Sequence, residues 1–396
     1  MNRVACLRLC AAGAHAGFLP ALLALFISAG LSGCAGWFTP SPGIGREVAW
    51  SKLPGWTQDR HAAAWPALRK SCEKLERSDA AWEQLCRAAS ALESPDDAAA
   101  RAFFEANFRA HRLNAGSGRE GLITGYYEPV LIGSTTRSDR FRWPLYKRPD
   151  NLLTIDLASL YPELKGRPVR GRLEGKRVVP YYSRAQIENG NGNGRNPLAG
   201  NELLWVEDPV ELFILQVQGS GRVRLPDGSE VAVGYADQNG HPYRSLGGRL
   251  IELGALTREE VTLTRIREWL AAHPEETGTL LNSNPSYIFF TQRDAALDGP
   301  LGSLGVTLTP ERSIAADPSY IPPGVPVWLD AAWPDGTPLQ RLALTQDTGG
   351  AIKGAARADL FIGQGAEAGR LAGEMKQRGR LYVLLPKLQE MTPASR

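Results

Sequence analysis

Residues Leu342-Ala343-Leu344-Thr345-Gln346-Asp347-Thr348-Gly349-Gly350-Ala351-Ile352-Lys353-Gly354 run from an apolar strand straight into a carboxylate and then a Gly-Gly turn. Glycines there let backbone come close to a ligand, because neither carries a Cβ. A carboxylate held among apolar neighbours has its charged form disfavoured, so its pKa rises and it becomes a candidate general acid. Spacing alone favours a plainer reading, an aspartate that only caps its turn, and the ammonium of Lys353 would pull the pKa back down. Asp317, before Pro318, and Asp359, in Ala358-Asp359-Leu360, also interrupt apolar runs. Taken singly, the first reads as a turn residue and the second as an acceptor of backbone amides; taken with Asp347 they frame one acidic cleft.

Around this stretch the pattern predicts short strands at Val325 to Leu329, Leu342 to Leu344 and Leu381 to Leu385, and one helix near Ala366 to Arg378. From Leu122 to Val233 short apolar runs alternate with turn residues, which argues for a β-domain. Its clearest hairpin turns at Pro226-Asp227-Gly228-Ser229. Leu212 to Gly221 is read as a strand on which Gln216, Gln218 and Ser220 alternate along one polar face, a candidate sugar-binding wall or equally a solvated face. The run Asn189 to Gly194 reads as a surface loop.

Helical signals lie outside that segment. Asp59 to Arg87 looks helical. Ser94-Pro95-Asp96-Asp97 supplies an N-cap and a proline at the first helical position, with Phe104 and Phe108 one turn apart behind it. Thr257 and Glu260 form a capping box ahead of Val261, Ile266, Trp269 and Leu270, and Pro274 ends that segment. The order of elements gives an α+β body with an all-β segment inserted.

The first thirty residues carry Arg3 and Arg8, an apolar run from Phe18 to Ile27 and then small residues, the pattern of an export signal. Leu31-Ser32-Gly33-Cys34 resembles a bacterial lipobox, which makes Cys34 the expected lipidation site and 1–33 the signal peptide. Residues 34–55, rich in Pro, Gly and Trp, read as a tether. Cys72 and Cys86 then remain, and in an oxidising periplasm they are expected to pair, two separately buried thiols being the alternative.

The net charge of +3 comes from 45 scattered Lys and Arg against 42 Asp and Glu, without the basic stripe that nucleic acid demands. His61, His111, His241 and His273 show no metal-ligand spacing, so no metal is expected. The chain has no G-x-S-x-G elbow, P-loop or dinucleotide fingerprint, and no cofactor is implied. Carboxylates and aromatics remain. Tyr126-Tyr127, Trp143, Tyr181-Tyr182 and Trp205 fall in β-context, where most aromatics are core and a minority face sugar.

Several motifs in order carry a resemblance. Gly125-Tyr126-Tyr127-Glu128-Pro129, Gln216-Val217-Gln218-Gly219-Ser220-Gly221, Gly234-Tyr235, Asn239-Gly240-His241-Pro242-Tyr243-Arg244-Ser245, Asn284-Pro285-Ser286-Tyr287 and the region holding Asp317, Asp347 and Asp359 resemble the membrane-bound lytic murein transglycosylase A family. The resemblance implies a mainly β fold with peripheral helices. Its catalytic domain would be a double-psi β-barrel, residues 56–131 and 233–390, with a second β-barrel inserted at 132–232 and a glycan groove between them. It implies Asp347 as catalytic acid/base, Asp317 and Asp359 as supporting acids, and Tyr126, Tyr127, Gln216, Gln218, Ser220, Tyr235, His241 and Tyr243 as candidate substrate contacts. The partners implied are peptidoglycan glycan strands and, since Ala35 follows Cys34, outer-membrane lipid on the periplasmic face; wall-synthesis or remodelling proteins are further candidates. A water-using peptidoglycan glycosidase and a non-catalytic wall-binding lipoprotein are the alternative readings.

Overall fold

The structure, a computed structural model, describes residues 41–116, 120–164, 169–190 and 195–387. The expected signal peptide, Cys34, the tether up to residue 40 and residues 191–194 of the Asn/Gly run lie outside the described residues.

In chain order the strands are β1 (Gly43–Val48), β2 (Phe108–Asn114), β3 (Gly121–Glu128), β4 (Val130–Ser134), β5 (Trp143–Tyr146), β6 (Leu153–Ile155), β7 (Val169–Glu174), β8 (Arg177–Val179) and β9 (Glu202–Val206). There follow β10 (Ser220–Arg224), β11 (Glu230–Gln238), β12 (Ile288–Gln292), β13 (Ser313–Ala316), β14 (Pro326–Ala332), β15 (Pro338–Asp347), β16 (Arg357–Gln364) and β17 (Lys376–Pro386). The helices are α1 (Trp65–Leu75), α2 (Ala80–Ser90), α3 (Asp97–Asn107), α4 (Arg184–Glu188) and α5 (Pro209–Gln218). Those after them are α6 (Leu246–Glu252), α7 (Leu263–Ala272), α8 (Pro274–Asn282) and α9 (Gly365–Glu374).

The first sheet runs β1-β2-β17-β14-β15-β13-β16-β3, and β17 also pairs with β3, so the strands from β17 round to β3 close on themselves. Closure removes the edges of that ring, and the residues its register sets on one face, Ile123, Ile314, Val327, Leu329, Ala343, Leu360 and Val383, pack in one core. The β13–β15 and β16–β3 pairs are parallel, the others antiparallel. A second sheet, β12-β11-β10-β4-β9-β5, and a small third one, β6-β7-β8, complete the strands. Because β11 and β12 hydrogen-bond within the second sheet, that sheet reaches to Gln292, past the 132–232 segment expected for it. Among the described residues the clusters of buried apolar side chains are drawn from Leu53 to Leu384.

Four local expectations are corrected. Gly43–Val48, read as tether, pairs with β2 as an antiparallel strand. The cap of α3 is Asp96, whose carboxylate accepts from the amide of Ala99, and the helix stops at Asn107. Phe108 therefore starts a strand, yet still packs on Phe104 at 5.8 Å between ring centroids. The box of Thr257 and Glu260 closes a turn, while α7 starts after Thr262, whose hydroxyl accepts from the amide of Arg265. Pro274 separates two helices, opening α8 at its first position.

The largest correction is Leu212 to Gln218, a helix rather than a strand. Asp208 accepts from the amides of Val210 and Glu211, Pro209 occupies the first helical position and Gly219 ends α5 at φ +80°. Its apolar residues serve three cores: Leu212 and Leu215 pack in the second sheet, Phe213 against α6 to α8, and Ile214 against the closed sheet. Five consecutive buried residues, Leu212 to Gln216, erase the 3.6-residue apolar stripe, so the segment reads like a buried strand. Tyr181 and Tyr182 likewise lie in the coil before α4 and not in a strand.

Candidate active site

One row of the closed sheet collects the acids. Across successive ladders Asp347 stands beside Ala315, Ala315 beside Asp359, and Asp359 beside Thr124. Two strand spacings put the Cα atoms of the two aspartates about 10 Å apart. Asp347 reaches this row because β15 is apolar up to its last residue and then gives way to the Gly349-Gly350 turn.

The hydrogen bonds to the Asp347 carboxylate divide unequally between its two oxygens. Oδ1 accepts the amides of Ser303 and Thr348, each at 2.9 Å. Oδ2 accepts the hydroxyl of Tyr126 at 3.0 Å. The Ser303 amide arrives on a tight loop in which Gly302 donates to Val306 and Leu304 donates to the carbonyl of Gln346. A Cβ on Gly302 would lie 2.3 Å from that same carbonyl, so only glycine permits the approach. Burial pushes the pKa of Asp347 up, and the charge of Asp359 adds to it; the two amides and Tyr126 pull the other way without cancelling the rise.

Asp359 is raised too, first by burial, against the opposing charge of Arg357 and the hydroxyl of Thr124, which donates to Oδ1. Arg357 also donates to Thr124 at 2.7 Å, closing a three-residue cluster. Asp317 behaves differently. Burial works against its charge, but the amides of Gly354 at 2.9 Å and Ser319 at 3.1 Å, the Ser319 hydroxyl and the Lys353 ammonium prevail and hold its pKa below the usual value. Lys353 thus acts on Asp317, and Asp317 pins the far end of the turn that follows Asp347.

The other candidates separate into three groups. Tyr126 is buried with its ring on Phe361 and serves Asp347 rather than offering a sugar platform; burial and the two nearby carboxylates raise its pKa well above 10.0. Tyr127, Gln216 and Gln218 are framework. Tyr127 lies against Gly369 of α9, where a Cβ would be 2.7 Å from its ring, and its hydroxyl accepts from Arg267. Gln218 accepts the Tyr127 amide at 3.0 Å, and buried Gln216 accepts from Arg184. Ser220 opens β10, so these three polar side chains do not form a row on one strand. Tyr235 and Tyr243 are 51% and 42% exposed, and His241 is half-buried with Nε2 2.7 Å from the carbonyl of Tyr181, to which it donates.

Sequence reasoning missed Ser303, Thr124, Arg357 and the role of Glu128. Thr124 was within reach, since alternation on β3 puts it on the face of Tyr126. Glu128 is buried where the chain passes from β3 to β4, and it joins Arg293 at 2.5 Å and Arg222 at 3.4 Å. Cys72 and Cys86 are disulfide-bonded, linking α1 to α2 with Cα atoms 5.4 Å apart. Among the described residues no three His, Cys, Asp or Glu come together as a metal site.

Residues 122–291 match the MltA specific insert domain, and residues 312–385 match the 3D domain. The chain is 34% identical to the membrane-bound lytic murein transglycosylase A of Vibrio cholerae over 305 residues, 74% of this chain and 72% of that one. The Escherichia coli protein of that name is 36% identical over 271 residues, which span 66% of this chain and 65% of the relative, just under two thirds of its length. Among solved structures, the membrane-bound lytic murein transglycosylase from Agrobacterium tumefaciens superposes with a TM-score of 0.75 at 34% identity, covering 87% of this chain and 98% of that chain. The E. coli MltA structure with bound chitohexaose gives 0.66 at 27% identity, over 89% and 96% of the two chains. With this mostly-sheet architecture shared almost end to end and both sequence models matched, the chain belongs to the membrane-bound lytic murein transglycosylase A family.

Proposed function

We propose that this chain is a lytic transglycosylase that cuts the β-1,4 bond between N-acetylmuramic acid and N-acetylglucosamine in peptidoglycan. Asp347 acts first as acid and then as base. The observation that carries this reading is the asymmetric dressing of Asp347, with both amides on Oδ1 and only a hydroxyl on Oδ2. A proton on Oδ1 would face two N–H groups, so the acid proton sits on Oδ2. It passes to the glycosidic oxygen, which leaves with the C1–O electron pair. The Oδ2 carboxylate then takes the proton of the muramic C6 hydroxyl as that oxygen bonds to C1, giving a 1,6-anhydro end and the acid restored. No water is consumed.

A hydrolase needs a second carboxylate free to activate water or attack. Asp359 is instead engaged by Thr124 and Arg357, which supports the one-carboxylate cycle. Mass spectrometry of peptidoglycan digests tests the proposal. Anhydromuropeptides from the chain and none from Asp347→Asn support it, whereas reducing ends made by adding water, or release by the variant, overturn it.

The closed ring from β17 to β3, with its two parallel pairs, supports assigning the barrel as double-psi. We take the catalytic lobe as 56–131 with 233–390 and the inserted lobe as 132–232 extended by the pairing of β11 and β12, the glycan lying between them along Tyr235, His241 and Tyr243. Membrane association follows from the relatives' names, and the lipobox supports acylation of Cys34 and placement on the periplasmic face of the outer membrane. Among the described residues no helix is long and apolar enough to cross a membrane. Wall-synthesis or remodelling proteins are the partners such a location would offer.

A further inference from the structure

Buried Glu128 faces two arginines that share a second task. Its Oε1 accepts from Nη2 of Arg293 at 2.5 Å and its Oε2 from Nε of Arg222 at 3.4 Å. Other N–H groups of the same guanidiniums reach main-chain carbonyls of the segment that joins β12 to β13. Arg293 donates to Gly299 at 3.2 Å, and Arg222 donates to Ala295 and Leu297 at 3.4 Å each. A guanidinium is a rigid fork, so a carboxylate that fixes one side of it aims the other. Arg293 is the firmer clamp, since 3.4 Å is long for an N–H···O bond. Gly234 makes room for it, as a Cβ there would lie 2.5 Å from its Cδ. Arg222 lies on β10, and Arg293 directly follows β12 with its amide on the carbonyl of Ala232, so both belong to the second sheet.

Four residues beyond Gly299 the same segment delivers the Ser303 amide to Oδ1 of Asp347. Little slack separates the clamp from that amide. Leu308 donates to Pro300, Gly305 donates to Gly302, and a Cβ on Gly299 would lie 2.7 Å from the carbonyl of Leu308. On its other side the segment is held by Lys70, 2.8 Å from Asp298. Asp298 is 67% exposed, and a pair so open to water contributes little, so the buried group at Glu128 sets where the segment lies. With its side chain 1% exposed, Glu128 itself is out of reach of a glycan.

We infer that Glu128 is a positioning residue: by aiming Arg293 and Arg222 it fixes the loop that presents the Ser303 amide to Asp347, and so ties the second sheet to the acid of the closed one. It rests on the role proposed for Asp347. The charged groups around Glu128 are Arg293, Arg222 and, 4.0 Å from Arg222, Glu230; those acting on Asp347 are Tyr126 and Asp359.

Glu128→Gln keeps the shape and removes the anion, so the guanidiniums lose their aim and the Ser303 amide draws off Oδ1. With a donor to its charged form weakened, Asp347 keeps its proton to higher pH. In pH–rate profiles on solubilised glycan strands the basic limb is expected about half a pH unit or more above that of the parent, with KM close to the parent's. Arg293→Lys retains a cation beside Glu128, but one ammonium cannot also span to Gly299. It should move the limb the same way, and it decides the question if Glu128→Gln does not fold. The double variant Cys72→Ala, Cys86→Ala is the control, destabilised away from this loop, and its limb should stay in place. An unmoved limb in either folded variant, or an equal shift in the control, overturns the inference. Asp347→Asn is assayed alongside: turnover by that variant overturns the role of Asp347, whereas its inactivity beside an unmoved limb overturns the positioning by Glu128 alone.

Discussion

The hydroxyl of Tyr126 donates to Oδ2 of Asp347 at 3.0 Å, while the amides that reach this carboxylate, from Ser303 and Thr348, both end on Oδ1. A donor to the charged form lowers a carboxyl pKa, so Tyr126 tempers a rise that burial and Asp359 create. Tyr126→Phe removes that donor and keeps the ring on Phe361. Losing a hydrogen bond to a charged group should cost roughly 10- to 100-fold in kcat/KM. The pKa of Asp347 should climb further, carrying the basic limb of the pH–rate profile to higher pH. A profile measured on solubilised glycan strands checks this; an unmoved limb would mean that Tyr126 does not govern the acid.

The same raised pKa fixes a sign for stability. When the folded pKa of an aspartate exceeds its unfolded value of about 3.9, the folded state holds the proton more tightly, so stability is fully present below the unfolded pKa and is lost as pH rises through the folded one. Asp347 and Asp359 are both raised, chiefly by burial. Asp347→Asn removes the cost of the charge and still offers an oxygen to the amides of Ser303 and Thr348. Its Tm should exceed that of the parent at pH 7, by about 1–3 °C for a chain of this size, and match it at acid pH. Asp359→Asn should gain less, because Arg357 loses its anion. Calorimetry of both variants at two pH values separates these outcomes.

Strands β14, β15 and β17 of the closed sheet were legible because they are local apolar runs, and Asp347 stood out as a carboxylate that follows one of them. What surrounds Asp347 was not. Ser303 reaches it from a loop 44 residues upstream through a backbone amide, a contact that no side-chain pattern records. Helix α5 was hidden by its run of five consecutive buried residues, although its stops, Asp208-Pro209 before and Gly219 after, were both in the sequence. The pairing of β11 with β12 brings Gly234 beside Thr291 and depends on the partner sheet, so local periodicity could not announce it.

Gln346 should prove as structural as its neighbour is chemical. Its buried amide donates to the carbonyl of Ala67 at 2.7 Å and to the hydroxyl of Ser71 at 3.0 Å, and its oxygen accepts from Ser313 at 2.5 Å. The end of β15 is thereby tied to α1 and to β13. Gln346→Leu fills nearly the same space but takes a hydrogen bond from each of three buried polar groups, of which Ser313 keeps the amide of Thr309, at about 1–3 kcal/mol for each that is left unsatisfied. A loss of roughly 2–4 kcal/mol in denaturant unfolding is expected. A variant as stable as the parent would show that these bonds are not what fixes the strand end.

Helix α1, which receives Gln346, is itself joined to α2 through Cys72 and Cys86, a separation of 14 residues. A crosslink closing so short a loop stabilises mainly by restricting the unfolded chain, by about 3 kcal/mol. Cys72 and Cys86 are also buried in the main core beside Leu68 and Leu85, so replacement by alanine avoids burying a new hydroxyl. The double variant Cys72→Ala, Cys86→Ala should therefore unfold at lower denaturant by an amount near that figure while keeping kcat, since in the folded state Ala67 and Ser71 still hold Gln346. Unfolding curves and turnover measured on one preparation decide it. A fall in kcat at temperatures where the variant is fully folded would mean that the disulfide shapes the site through α1, beyond stabilising the fold.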